Sequence, residues 1–136
     1  MVKKLLFFTI ILAGCNNDAQ VVFYDTSIKN KNIPCLKLSI FPPNKHLEQQ
    51  VTKLYHFSKE CNYTLVVSKK SGIICNSNYN VEKKNINGFP NSYLTLSIKK
   101  DFKTLYSYYK DLNHDVRDTD VKNSFIQLRE DLKLQN

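Results

Sequence analysis

Two alternating runs separated by a very short gap restrict this chain more than any other feature. From Ser92 to Lys99 the apolar residues Leu94, Leu96 and Ile98 fall on one side, and Tyr93, Thr95, Ser97 and Lys99 on the other. Side chains of a strand alternate between the two faces of a sheet, so this period marks a strand with one buried face. From Phe102 to Tyr109 the alternation resumes, placing Phe102, Thr104, Tyr106 and Tyr108 on one face. Lys100-Asp101 is then a tight turn, and the two runs form a hairpin.

The remaining apolar runs extend the pattern. Gln20 to Tyr24 is a short strand candidate. Ile33 to Phe41 alternates until Pro42-Pro43 stops it, with Leu36, Leu38 and Ile40 opposite Cys35, Lys37 and Ser39. Cys61 to Ser68 is rich in Thr, Val and Tyr, as strands are. Lys69-Lys70-Ser71-Gly72 forms a turn, with Gly72 free to take positive φ, and Ile73-Ile74-Cys75 begins a return strand. Asn44 to Ser58 is open to two readings: Leu47, Val51 and Leu54 have helical spacing, whereas Val51 to Phe57 also reads as a strand. Asn76 to Asn91 is polar and reads as a long loop, a length that in small domains often serves binding. Near the end, Asp118 or Thr119 caps a helix of about 118–133 whose stripe is Val121, Phe125, Leu128 and Leu132. Strands joined by short turns and closed by one helix predict a mainly β fold, a small antiparallel, immunoglobulin-like β-sandwich with one C-terminal helix.

The first residues belong to a different class. Lys3 and Lys4 precede the apolar run Leu5–Ala13, which is under half the roughly 20 residues that span a bilayer. It has the size of a secretory signal core. The closing Leu12-Ala13-Gly14-Cys15 is similar to the lipobox of bacterial lipoproteins. The resemblance implies a signal peptide at 1–14, lipidation of the Cys15 sulfur and cleavage before it. A thiolate is the side chain whose nucleophilicity suits that transfer. Residues 15–20 then form the anchor and a short tether, and 21–136 form a periplasmic domain. Asn16, where an aspartate tends to retain such proteins in the inner membrane, implies the periplasmic face of the outer membrane.

The formal charge is +8, and losing Lys3 and Lys4 with the signal lowers it to +6. A basic chain can meet nucleic acid, an anionic membrane or an acidic protein. The periplasm argues against nucleic acid, and arginine occurs only at Arg117 and Arg129. The membrane is reached through the lipid, and the free chain is expected to be a monomer. Three cysteines remain after lipidation, and an oxidising compartment predicts one disulfide and one spare thiol. If the strands starting at Ile33, Cys61 and Ile73 run as antiparallel neighbours, Cys61 lies at the far end and Cys75 returns beside Cys35. The expected bridge is therefore Cys35–Cys75.

Catalytic and metal patterns are absent from the sequence. It holds no nucleophile elbow, zinc-protease helix or phosphate loop. The cysteines and His46, His56 and His114 lack zinc spacing. Asp111, His114, Asp115, Asp118 and Asp120 read as a polar loop that caps the following helix. We therefore expect no enzyme activity, no metal and no cofactor. Tyrosine is the more suggestive residue: alternation puts Tyr109 on the face opposite Tyr106 and Tyr108, and tyrosine suits interfaces. Tyr109, with Tyr79, Lys83 and Lys84 in the long loop, forms the expected partner-binding surface.

Three segments carry a family resemblance: Ser71-Gly72-Ile73-Ile74-Cys75-Asn76-Ser77, Phe89-Pro90-Asn91-Ser92-Tyr93-Leu94, and Leu105-Tyr106-Ser107-Tyr108-Tyr109-Lys110-Asp111-Leu112. Together they resemble small periplasmic lipoproteins of the type VI secretion immunity class. The resemblance implies a protein that binds a secreted antibacterial effector, such as a lipase or cell-wall enzyme, and neutralises it stoichiometrically. The alternative is a structural or assembly lipoprotein of an envelope secretion machine. A lysozyme inhibitor fits poorly, since the chain has no Trp.

Overall fold

The computed structural model describes residues 19–73 and 90–135, and its centre is the hairpin expected from the alternation. Strand β5 (Ser92–Lys100) pairs antiparallel with β6 (Lys103–Leu112). Leu94, Leu96 and Ile98 are buried, as their spacing requires, and Tyr106 and Tyr108 lie across from Ile98 and Leu96. The turn is one residue later than expected: Lys100 pairs with Lys103, so Asp101 and Phe102 form the tip. Asp101 takes φ of 54°, the left-handed region that two-residue hairpin loops need and that Asp tolerates better than most residues. Phe102 consequently leaves the Tyr106 face and stands in solvent. A register shift between Ile98 and Lys99 accompanies the change, and both Leu105 and Tyr106 are buried. A bulge of this kind interrupts strict alternation by design.

Two further strands complete the antiparallel part of the sheet. β1 (Gln20–Phe23) lies on the far side of β6, and β4 (Tyr63–Lys70) lies beside β5. Leu65 and Val67 of β4 are buried on the side of Leu96 and Ile98.

The stretch from Ile33 to Phe41 is two strands rather than one. Pro34 has no N–H to give a ladder, and the run divides into β2 (Asn32–Ile33) and β3 (Lys37–Ile40). β3 pairs with β4 in parallel, and β2 pairs in parallel with β7 (Lys133–Leu134), the segment after the last helix. The fold is thus mainly β, with a mixed five-stranded sheet of order β1-β6-β5-β4-β3 and a two-stranded sheet. A parallel pair cannot be closed by a tight turn and needs a crossover, usually helical. That crossover settles the open segment 44–58: it contains helix α1 (Lys45–Thr52), with Leu47 and Val51 buried. Asn44 caps it, its side-chain oxygen accepting from the Leu47 N–H at 2.9 Å.

The closing helix α2 (Asp118–Asp131) follows the expected stripe, and Val121, Phe125, Leu128 and Leu132 are all buried. Its cap residue is Arg117 rather than Asp118 or Thr119. The Asp120 carboxylate reaches back to accept the Arg117 N–H at 2.8 Å, the return half of a capping box. The buried side chains of α1, α2 and the inner sheet face join in one core cluster, so the layer facing the sheet is part helical. Arg129 ties the helical layer together, donating to the Leu54 carbonyl at 3.1 Å and lying 5.4 Å from the Phe125 ring centroid.

Parallel pairing also corrects the disulfide. With β3 and β4 running the same way, the residues just before both strands sit at the same end of the sheet. Cys35 and Cys61 are those residues, and they are bonded, with Cα atoms 5.8 Å apart. The expected Cys35–Cys75 bridge assumed an antiparallel pair and a return strand at Ile73. Instead β4 pairs with β5, and Ile73 belongs to no strand. Cys75 lies outside the described residues, as do the 1–14 segment, Cys15 and most of the expected long loop. No helix of the described residues is long and apolar enough to cross a membrane.

Candidate functional site

Strand directions give the sheet two distinct ends. Gln20, where β1 begins, pairs with Tyr109, so the chain leading back toward Cys15 leaves beside the end of β6 and the start of β5. At the opposite end lie the close of β1, the disulfide, and the β5–β6 hairpin tip. We call these the tether end and the distal end.

Of the expected binding residues, Tyr109 is the one within the described residues; Tyr79, Lys83 and Lys84 lie outside them. Tyr109 stands on the outer face, as its parity relative to Tyr106 and Tyr108 required. Its ring stacks on Tyr93 with centroids 5.8 Å apart, and its hydroxyl donates to Asp111 Oδ1 at 2.7 Å. That bond, reinforced by desolvation, pushes the phenol up to about 12. Tyr109 is therefore occupied locally, by a ring on one side and a carboxylate on the other. Tyr106 faces inward and donates to Asp131 Oδ2 at 2.7 Å, a core tyrosine whose burial pushes its pKa far upward. The rest of the outer sheet face is Ser and Thr interleaved with single larger residues, such as Thr64, Val66, Thr95, Ser97 and Ser107.

The acidic run after β6 serves the helix start. Asp118 and Asp120 occupy the first turn of α2, where the N-terminal dipole favours anions. His114 Nδ1 lies 2.8 Å from the Asp115 carbonyl and 3.7 Å from Asp120 Oδ2. Asp111, the other acid near it in sequence, is engaged by Tyr109 instead.

The distal end carries a surface that sequence reasoning missed. Phe102 is 104% exposed, and beside it opens a hollow of about 660 Å³. Lys31, Lys100 and Lys103 line it together with the carboxylates of Asp25 and Asp101, over Tyr63 and Leu105. The lysines are positioned by different devices. Lys100 lies 5.4 Å from the centroid of the Tyr63 ring, and Lys103 Nζ sits 3.9 Å from Asp25 Oδ2. Asp25 turns inward to its own turn, accepting from Ser27 Oγ at 2.6 Å and Ser27 N–H at 3.1 Å. Those two bonds hold its carboxyl below the ordinary range, so it stays anionic and does not compete as a proton donor. The signal for this site was present in the sequence as Asp101-Phe102, where an Asp-Gly pair is the usual two-residue tip. No protein family, curated protein or solved structure matches this chain.

Proposed function

We propose that the chain is a lipid-anchored periplasmic immunity protein that neutralises a secreted antibacterial effector by stoichiometric binding. The observation that carries this reading is the separation of the two ends. The chain leading from the lipobox-like Cys15 enters at Gln20, on the tether end, while a fully exposed aromatic residue beside an open hollow lies on the distal end. Cys15 is four residues before Ala19, so an extended tether reaches about 14 Å. Such a tether holds the tether end close to the bilayer and presents the distal end to soluble periplasmic proteins. Asn16 supports the inner leaflet of the outer membrane as the site of anchoring.

A small domain cross-linked by a disulfide suits a binding role, because a rigid surface loses little freedom on association. The segments that resemble type VI immunity lipoproteins point to the partner: an effector whose target, lipid or cell wall, is reached from the periplasm. The test is protection in cells. The product of the gene adjacent to this chain's own gene is exported to the periplasm, with and without the full-length chain. Restored growth together with a one-to-one complex supports immunity. Growth arrest regardless of the chain, with the chain held instead by subunits of an envelope machine, would replace immunity by the assembly role.

A further inference from the structure

A lipid on Cys15 would fix more than the compartment, because the tether is short and the strand register says where it starts. β1 runs antiparallel to β6, and Gln20 pairs with Tyr109. The chain upstream of Gln20 therefore leaves in the direction in which β6 is travelling. β6 itself goes further that way, and its Asp111 pairs with Tyr93, which pairs in turn with Lys70. Lys70, Tyr93 and Asp111 thus form a row two residues nearer the anchor than Gln20, about 7 Å at the rise of a strand. Fully extended, the chain from Cys15 to Gln20 reaches about 17 Å. The row then lies at most about 10 Å from Cys15 along the strand axis, and any departure from full extension brings it nearer. Acyl chains on the Cys15 sulfur would lie in the hydrocarbon core, which puts Cys15 itself in the headgroup layer, about 5–8 Å thick.

The side chains at this end suit that layer. Tyr93 is half-buried on the outer sheet face and stacks on Tyr109, whose hydroxyl is held by Asp111. Tyrosine rings, apolar in body and polar at the tip, gather at the headgroup level of membrane proteins. Lys70 is exposed, and the apolar stem of a lysine lets its ammonium reach phosphates while the rest of the side chain stays close to a surface. Charge does not select this end, since Lys70 shares its row with Asp111. The anchor selects it, because the rest of the sheet lies further along the strands from Cys15: the Lys100 end of β5 is roughly 24 Å beyond Tyr93.

We propose that the tether end is a membrane-contact surface, with Tyr93, Tyr109 and Lys70 seated in the headgroup layer of the bilayer that holds the Cys15 lipid, so that the sheet stands away from the membrane and Phe102 is turned to the periplasm. The proposal rests on the reading that Cys15 is lipidated and does not depend on immunity.

The chain has no Trp, so a single Trp placed in it is a unique fluorescent reporter. The mature chain, produced from the full-length precursor in a bacterium, is reconstituted into vesicles of phosphatidylethanolamine and phosphatidylglycerol. A phospholipid carrying a nitroxide on its headgroup serves as a short-range quencher. Tyr93→Trp is compared with Phe102→Trp, and Tyr109→Trp is the second reporter of the tether end if Tyr93→Trp lowers the melting temperature. The expected result is loss of most of the emission from the tether-end reporter, with the emission from position 102 nearly unchanged. The mass of the mature chain is read first. A chain that carries the lipid but shows no quenching at the tether end, or equal quenching at position 102, overturns the membrane contact and leaves the anchor standing. A mass without the lipid removes the anchor and the contact with it. Protection against a toxin is measured separately in cells, so each of these results leaves the immunity reading to its own test.

Discussion

Replacing Cys35 and Cys61 together by alanine removes a cross-link between residues 26 positions apart. Closing a loop of that length in the unfolded chain costs conformational entropy worth about 3.5 kcal/mol at room temperature. Alanine is the better replacement, since Cys61 is 9% exposed and a serine hydroxyl there would be buried as well. Against the 5–15 kcal/mol of a typical small domain, a loss of about 3.5 kcal/mol is a large fraction. The local effect should be uneven. β3 is an edge strand of four residues with β4 as its single neighbour in the sheet, and the bond lies immediately ahead of both. Amide exchange should therefore accelerate more at Lys37–Ile40 than along β5. Urea unfolding of the oxidised wild-type and double-variant chains measures the first effect, and exchange mapping the second. A loss below about 1 kcal/mol would refute the loop-closure argument. A peptide map joining Cys75 to either cysteine would refute the parallel pairing behind it.

Three further outcomes are expected. Leu96→Ala, at a 2% exposed position in the middle of the sheet, should cost about 2–5 kcal/mol through lost burial and an unfilled cavity; a urea midpoint within error of wild type would contradict the core assignment. Asn44→Ala leaves the Leu47 N–H without its acceptor and should cost about 1 kcal/mol, measured by thermal unfolding. In alkali, Tyr106, Tyr108 and Tyr55 are raised mainly by burial, and Tyr109, by its Asp111 bond, to about 12. Their neutral forms are favoured in the folded state, so the associated stability is full below the ordinary pKa of 10.0 and declines as pH rises through the folded values. Phenolate absorbance should therefore rise in two stages in the native protein, and a single stage near 10 would contradict the assignment.

Much of the sheet was legible because alternation is a direct consequence of the strand backbone. Leu94, Leu96 and Ile98 fixed which face of β5 is buried, and Val121, Phe125, Leu128 and Leu132 did the same for α2. What escaped depended on relations between distant segments. Nothing in Leu38–Ile40 or Leu65–Val67 distinguishes a parallel from an antiparallel neighbour, since both bury the same side chains. That one ambiguity misdirected the disulfide. The division at Pro34 was readable from the missing N–H but is masked by good alternation on both sides. Phe102 was misplaced for a different reason: the register shift beside Lys99 lets Leu105 and Tyr106 both turn inward, so parity counted back from Tyr106 fails at the tip. The candidate surface was hidden for the same reason, because a residue assigned to the core is not considered for binding.

The four-residue pairing of β1 with β6 has a mechanical consequence. A chain fixed upstream of Gln20 and pulled at the hairpin tip is loaded along the strand axis. The β1–β6 hydrogen bonds lie across that axis, so they are strained together in shear instead of being opened one at a time. A bound partner tugging on the distal end would thus meet the resistance of the whole short ladder at once, and that ladder is the first junction to bear the force.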